Sequence, residues 1–207
     1  MFAHRSAWQA GVQRMLLIAC VAAATALTGC ASFYVDTATK EVPVAEYKKP
    51  AELKPVQLLF EFQTKGALNT RATEVLKAQI AEQVKSSGLF SEVQDKAVNG
   101  GATLSITLNN VPLTDNAFGK GFVTGLTFGL AGSQVSDGYV CTAKYISDAR
   151  PTPIVKVARH AIHTNVGAGS APPNAIKADS IDAAVRTMTR QIVSTALNDL
   201  SQDLAAK

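Results

Sequence analysis

The sequence predicts an α+β domain: a two-layer sandwich of about four mostly antiparallel strands with two helices on one face. Three observations predict it. Four stretches carry apolar residues at strand spacing or as β-branched runs, two carry apolar residues at helical spacing, and a short Pro-bounded turn joins the last two strands. A glycine-rich apolar excursion interrupts the order between the second and third strands.

The chain opens on Arg5 and Arg14, then runs from Met15 to Leu27 without a charge. A basic start, a short apolar run and small residues after it make a secretory signal. The run is well short of the ~20 residues a spanning helix needs. It ends on Leu27-Thr28-Gly29-Cys30, which resembles the lipobox of bacterial lipoproteins. The resemblance implies cleavage after Gly29 and lipid on Cys30; no cofactor beyond that covalent lipid is expected. It also implies a membrane partner, because several acyl chains give lasting anchorage at ~0.8 kcal/mol per buried methylene. Ala31 follows the anchor. In enterobacterial lipoproteins an aspartate at that place retains the protein at the inner membrane, so the resemblance implies the outer membrane, facing the periplasm.

Loss of residues 1–29 removes Arg5 and Arg14 and no acid, so 20 basic against 16 acidic side chains become nearly balanced. No basic stripe suggests nucleic acid. Of three cysteines, Cys20 leaves with the signal and Cys30 takes the lipid, so Cys141 has no partner for an intramolecular disulfide. It is expected to behave as a small buried hydrophobe.

Residues 30–54 read as the lipidated N-terminus and a tether, with Pro43, Pro50 and mixed charges and no sustained period. Phe33, Tyr34, Val42, Val44 and Tyr47 are apolar enough for part of it to dock. A single domain is expected over 55–207. Val56, Leu58, Phe60 and Phe62 alternate with polar residues as the first strand. A helix capped near Asn69 or Thr70 presents Ala72, Val75, Leu76, Ile80 and Val84. Gly88 suits its left-handed stop, with Leu89 or Phe90 folding back. Leu104, Ile106 and Leu108 mark the second strand, closed by Val111-Pro112. Residues 138–147 make the third strand, 148–153 a turn, and 154–166 a fourth strand whose apolar phase is split between two parities. A bulge or two-sided burial would each explain the split. The last helix runs from Asp179 or Ser180 to about Leu204.

A strand, a helix ending in Lys85-Ser86-Ser87-Gly88-Leu89-Phe90-Ser91-Glu92-Val93 and another strand looks like a small envelope α/β module. It occurs in the TolB amino-terminal domain, the lipoprotein activators of penicillin-binding proteins and the curli secretion lipoprotein. The resemblance implies binding or assembly without catalysis, and transfers no functional residue.

Residues 117–132 hold five glycines and one charge, Lys120. As a helix, Gly121, Gly125 and Gly129 form a smooth strip beside Phe118, Phe122 and Leu126, a spacing that permits close helix approach in lipid. As a strand, Phe122, Leu126 and Phe128 share a face. Three roles compete: a loop or helix packed on the domain's own core, a membrane contact beside the anchor, and a protein or homo-oligomer contact. The candidate contact residues are Phe118, Gly121, Phe122, Gly125, Leu126, Phe128 and Gly129.

Catalytic and metal motifs are lacking. His160 and His163, three apart on a strand, point to opposite faces and cannot chelate one metal together. No G-x-S-x-G, H-E-x-x-H or P-loop occurs. The expected function is a non-catalytic outer-membrane lipoprotein serving as an envelope interaction or assembly factor. The rival is a membrane-apposed or oligomeric structural subunit working through 117–132, with a periplasmic enzyme behind both.

Overall fold

The computed structural model describes residues 31–113, 134–148, 150–167 and 170–206. Its elements are β1 (Ala31–Asp36), a 3-10 turn (Val44–Glu46), β2 (Pro55–Thr64), β3 (Ala67–Leu68), α1 (Thr70–Ser86), β4 (Glu92–Gln94), β5 (Ala102–Pro112), β6 (Gln134–Ser147), β7 (Arg150–Val166), β8 (Ala175–Ala178) and α2 (Ile181–Ala205). The α+β class holds, but the expected four strands are an undercount: the described residues form one sheet of eight. The order is β3-β2-β5-β6-β7-β1-β8, with β4 also on β2. β2 runs parallel to β4 and β5; the other pairings are antiparallel.

Both helices lie on one face. Leu104, Ile106, Leu108, Cys141 and Ala143 send their side chains there, all at most 1% exposed. They meet Leu76, Ile80 and Val84 of α1 and Met188, Ile192, Leu197 and Leu200 of α2 in a single core. Val75, expected on α1's apolar side, stands exposed instead. Asn69 caps α1 by accepting Ala72 N–H at 3.0 Å, and Ser180 caps α2 through Ala183 N–H at 3.1 Å. Gly88 takes φ +62°, and Leu89 and Phe90 fold into the core as the stop motif requires. Two glutamines of α1 lock the helices together: Gln79 and Gln83 donate to the carbonyls of Arg186 and Arg190 at 2.9 and 2.7 Å.

The tether expected over 30–54 is corrected by the structure from its first described residue. Ala31–Asp36 is a strand inside the sheet, between β7 and β8. Its apolar triplet Phe33-Tyr34-Val35 makes docking favourable, with Tyr34 and Val35 buried. The chain then runs along α2. Val42 N–H donates to Ser194 Oγ at 2.9 Å, Tyr47 Oη to the Ser194 carbonyl at 3.1 Å, and Lys48 N–H to Ser201 Oγ at 3.0 Å. Arg190 pairs with Glu41 at 2.6 Å, and Lys49 Nζ donates to Ser87 O at 2.8 Å beside the helix stop.

The expected 148–153 turn is shorter. β7 already starts at Arg150, opposite Ser147, and takes in Pro151 and Pro153. These prolines are tolerated because β1 pairs with β7 only at residues 162–166, leaving the start of β7 an edge. The split phase of β7 comes from Val155 and Val157, which stand exposed on the face away from the helices, and the register with β6 shifts between Tyr145 and Ser147. Ile154, Ala158 and Ile162 face the helices, and Ala161 and His163 are buried on the opposite side.

Candidate functional site

Register, more than any single side chain, defines the site. Ala31 pairs with Val166, and Ser32 with Asn165, which in turn pairs with Gln134. The residue after Cys30 and the residue that re-enters the sheet after the glycine-rich segment therefore share one end of the sheet. Two strand spacings, about 10 Å, separate Ser32 from Gln134. The chain leaves for that segment at Leu113, whose N–H donates to Ser136 O at 3.1 Å near the same end. Val135 and Val166, on the helix-side face of this tip, are 57% and 49% exposed. Cys30 and all the contact candidates (Phe118, Gly121, Phe122, Gly125, Leu126, Phe128 and Gly129) lie outside the described residues.

Beneath the tip sits a polar cluster that motif reading did not find. Ser136 Oγ donates to His163 Nδ1 at 2.8 Å, and His163 Nε2 donates to Asp36 Oδ2 at 3.3 Å. Asp36 Oδ1 accepts Ala38 N–H at 2.7 Å. His163 and Asp36 are at most 1% exposed. Asp36 and His163 are 127 residues apart, so no local spacing could have signalled them. The residue types are those of a hydrolase triad, but the histidine and aspartate are sealed, and the bonds tie β6, β7 and β1 together. Their geometry fits a structural clasp holding β1, the strand that begins at Ala31.

His160 points to the other face, as its spacing from His163 requires. Its Nε2–H donates to Gln191 Oε1 at 2.7 Å, and Nδ1 accepts Ala161 N–H at 2.8 Å. Burial holds its pKa below the ordinary imidazole value, against the opposing pull of the Gln191 bond. Cys141 is fully buried, and burial pushes its thiol up to about 12. No group of three or more His, Cys, Asp and Glu side chains is placed to hold a metal among the described residues.

Two surfaces remain. The face of the sheet away from the helices exposes Leu59, Ile146, Val155 and Val157. Register sets them among polar neighbours: Val155 opposite Lys144, Lys144 opposite Ser105, and Ser105 opposite Leu59. An apolar face rimmed by hydroxyls and a lysine is suited to a protein partner. On the helix side, a groove of about 730 Å³ runs between α1 and the β2 edge. Leu58 and Phe60 form its floor, Ala78, Ala81 and Val93 its walls, and its rim mixes Lys77, Lys85 and Lys96 with Glu74 and Asp95.

No protein-family model matches the chain, and no curated protein matches its sequence. Among solved structures it is similar to a PelC dodecamer, a point variant from Paraburkholderia phytofirmans, at 12% identity and a TM-score of 0.34, over 87% of this chain and 99% of that one. A minor lipoprotein from Acinetobacter baumannii is 15% identical with a TM-score of 0.30, over 75% and 90% of the two chains. A chain assigned as a lipoprotein from Caulobacter crescentus CB15 is 10% identical with a TM-score of 0.28, over 72% and 87%. Likenesses this distant carry no argument about function.

Proposed function

We propose that the chain is a non-catalytic lipoprotein of the outer membrane, anchored through Cys30, that acts as an envelope interaction or assembly factor held against the bilayer. The observation that carries the reading is β1, which begins at Ala31 and is already paired on both edges by Phe33. A lipid on Cys30 would thus be joined to the sheet with almost no slack, fixing the orientation of the domain as well as its address. β7 spans roughly 50 Å from Arg150 to Val166 at ~3.3 Å per residue. With the Val166 end at the membrane, the open face bearing Val155 and Val157 would stand away from it, available to a periplasmic partner.

The rival reading, a membrane-apposed structural subunit, gains from one observation. The chain departs for residues 117–132 and returns from them at the end of the sheet that carries Ala31, beside exposed Val135 and Val166. Liposome flotation separates the two. The acyl-free protein, residues 31–207, is compared with a version whose 117–132 segment is a short polar linker. The adaptor reading expects neither to float. Flotation of the first alone would move the membrane-subunit reading ahead. Fatty-acid labelling tests the anchor itself: Cys30→Ala should abolish the label and leave an uncleaved precursor, and a labelled mutant would sink the lipoprotein reading.

A further inference from the structure

β2 has a gap in its outer edge. β4 covers it up to Gln57 and β3 from Gln63, and no described strand pairs the stretch between. Phe62 is accounted for, its carbonyl accepting Asn69 N–H at 2.8 Å and its N–H donating to Thr73 Oγ1 at 2.9 Å. Backbone alternation turns the N–H and C=O of Phe60 to that same edge. The apolar groove opens beside it.

The opposite edge of the sheet is β8, four residues long. Thr37 N–H donates to Asn174 O at 2.8 Å, so residues 174, 176 and 178 turn their backbone groups inward. Alternation sends the C=O of Ala175 and the N–H of Lys177 outward. Ile176, on the helix-side face with Val35, is 67% exposed. Exposed apolar edges are devices that proteins cover or use.

We infer that β8 of one copy adds to the open edge of β2 of the next, with Ile176 seated in the groove over Phe60. The fit is specific. Phe60 N–H would meet Ala175 O, and Lys177 N–H would meet Phe60 O, the parallel pattern about one residue. That register sets Glu61 opposite Lys177 on the open face, a complementary charge pair. Tracing the pairings from β2 through β5, β6, β7 and β1 to β8 leaves β8 pointing the same way as β2. Head-to-tail addition therefore keeps every Ala31 on one side of the assembly. Antiparallel pairing of two like edges would turn the anchors to opposite sides, which one bilayer cannot satisfy; this choice of direction rests on the lipid-anchor reading. The edge is short, so the pairing draws on the effective concentration that a shared membrane surface provides.

The test is a cysteine pair in the full-length chain, Glu61→Cys with Lys177→Cys, oxidised in intact membranes. The expected result is a covalent ladder reaching trimer and above, with no ladder from either single variant, and its loss on adding Ile176→Asp while the circular dichroism stays native. Monomer alone from the double variant, or a ladder that survives Ile176→Asp, would overturn the inference. So would dimers from Lys177→Cys by itself, which indicate like edges meeting. Fatty-acid labelling read in the same cells keeps the claims apart: labelled protein without a ladder fails the interface alone, and a ladder on unlabelled protein fails the anchor alone.

Discussion

Replacing Asp36 with Ala distinguishes a structural first strand from a tether. Asp36 lies six residues past Cys30, 1% exposed, and its two oxygens accept from His163 Nε2 and Ala38 N–H at 3.3 and 2.7 Å. Removing the carboxylate leaves two donors without their acceptor, each worth about 1–3 kcal/mol when buried. A cost near 4 kcal/mol is expected, about 8–16 °C in Tm for a domain of this size. The assay is urea unfolding followed by far-ultraviolet circular dichroism, on the Cys30→Ala chain so that lipid does not contribute. A residue in a solvated tether would change stability by no more than ~0.5 kcal/mol. A measured cost below about 1 kcal/mol would refute the clasp and, with it, the rigid join between anchor and sheet.

Three further outcomes follow from the same geometry. His160 has a folded pKa below its unfolded value of ~6.5, so its contribution to stability is complete above that pH and is lost as pH falls toward the folded pKa; unfolding at pH 8 and pH 5 should show a drop that His160→Gln lessens. The Cys141 thiol, pushed up to about 12 and fully buried, should resist maleimide at pH 8 in the native protein and react at once in urea. Val157→Asp, on the open face at 43% exposure, should shift stability by no more than about 0.5 kcal/mol and, on the proposed interaction-factor role, abolish crosslinking in cells to a protein docked on that face.

The parts of the fold legible in the sequence are those long enough to show a period. β2 and β5 alternate over ten and eleven residues, and α1 and α2 repeat their apolar positions over several turns with Asn69 and Ser180 as caps. β3, β4 and β8, at two to four residues, are too short to reveal one. β1 was illegible for another reason. Its six residues follow Cys30 and precede a Pro-bearing charged stretch, and the partner that orders them is about 130 residues away. Pro151 and Pro153 read as turn residues because the lone edge of β7 that accommodates them exists only in the assembled sheet. The Ser136–His163–Asp36 cluster was hidden in the same way, since three strands distant in sequence create it.

The central claim is that the end of the sheet carrying Ala31 and Val166 sits on the bilayer while the Asp148 end points away. Fluorophores on Val166→Cys and Asp148→Cys, both at exposed positions, can be read in vesicles reconstituted with the lipidated protein and containing a headgroup quencher. The account predicts strong quenching at position 166 and almost none at 148, since about 50 Å of strand separates them. Equal quenching at the two positions, or none at either, would contradict it.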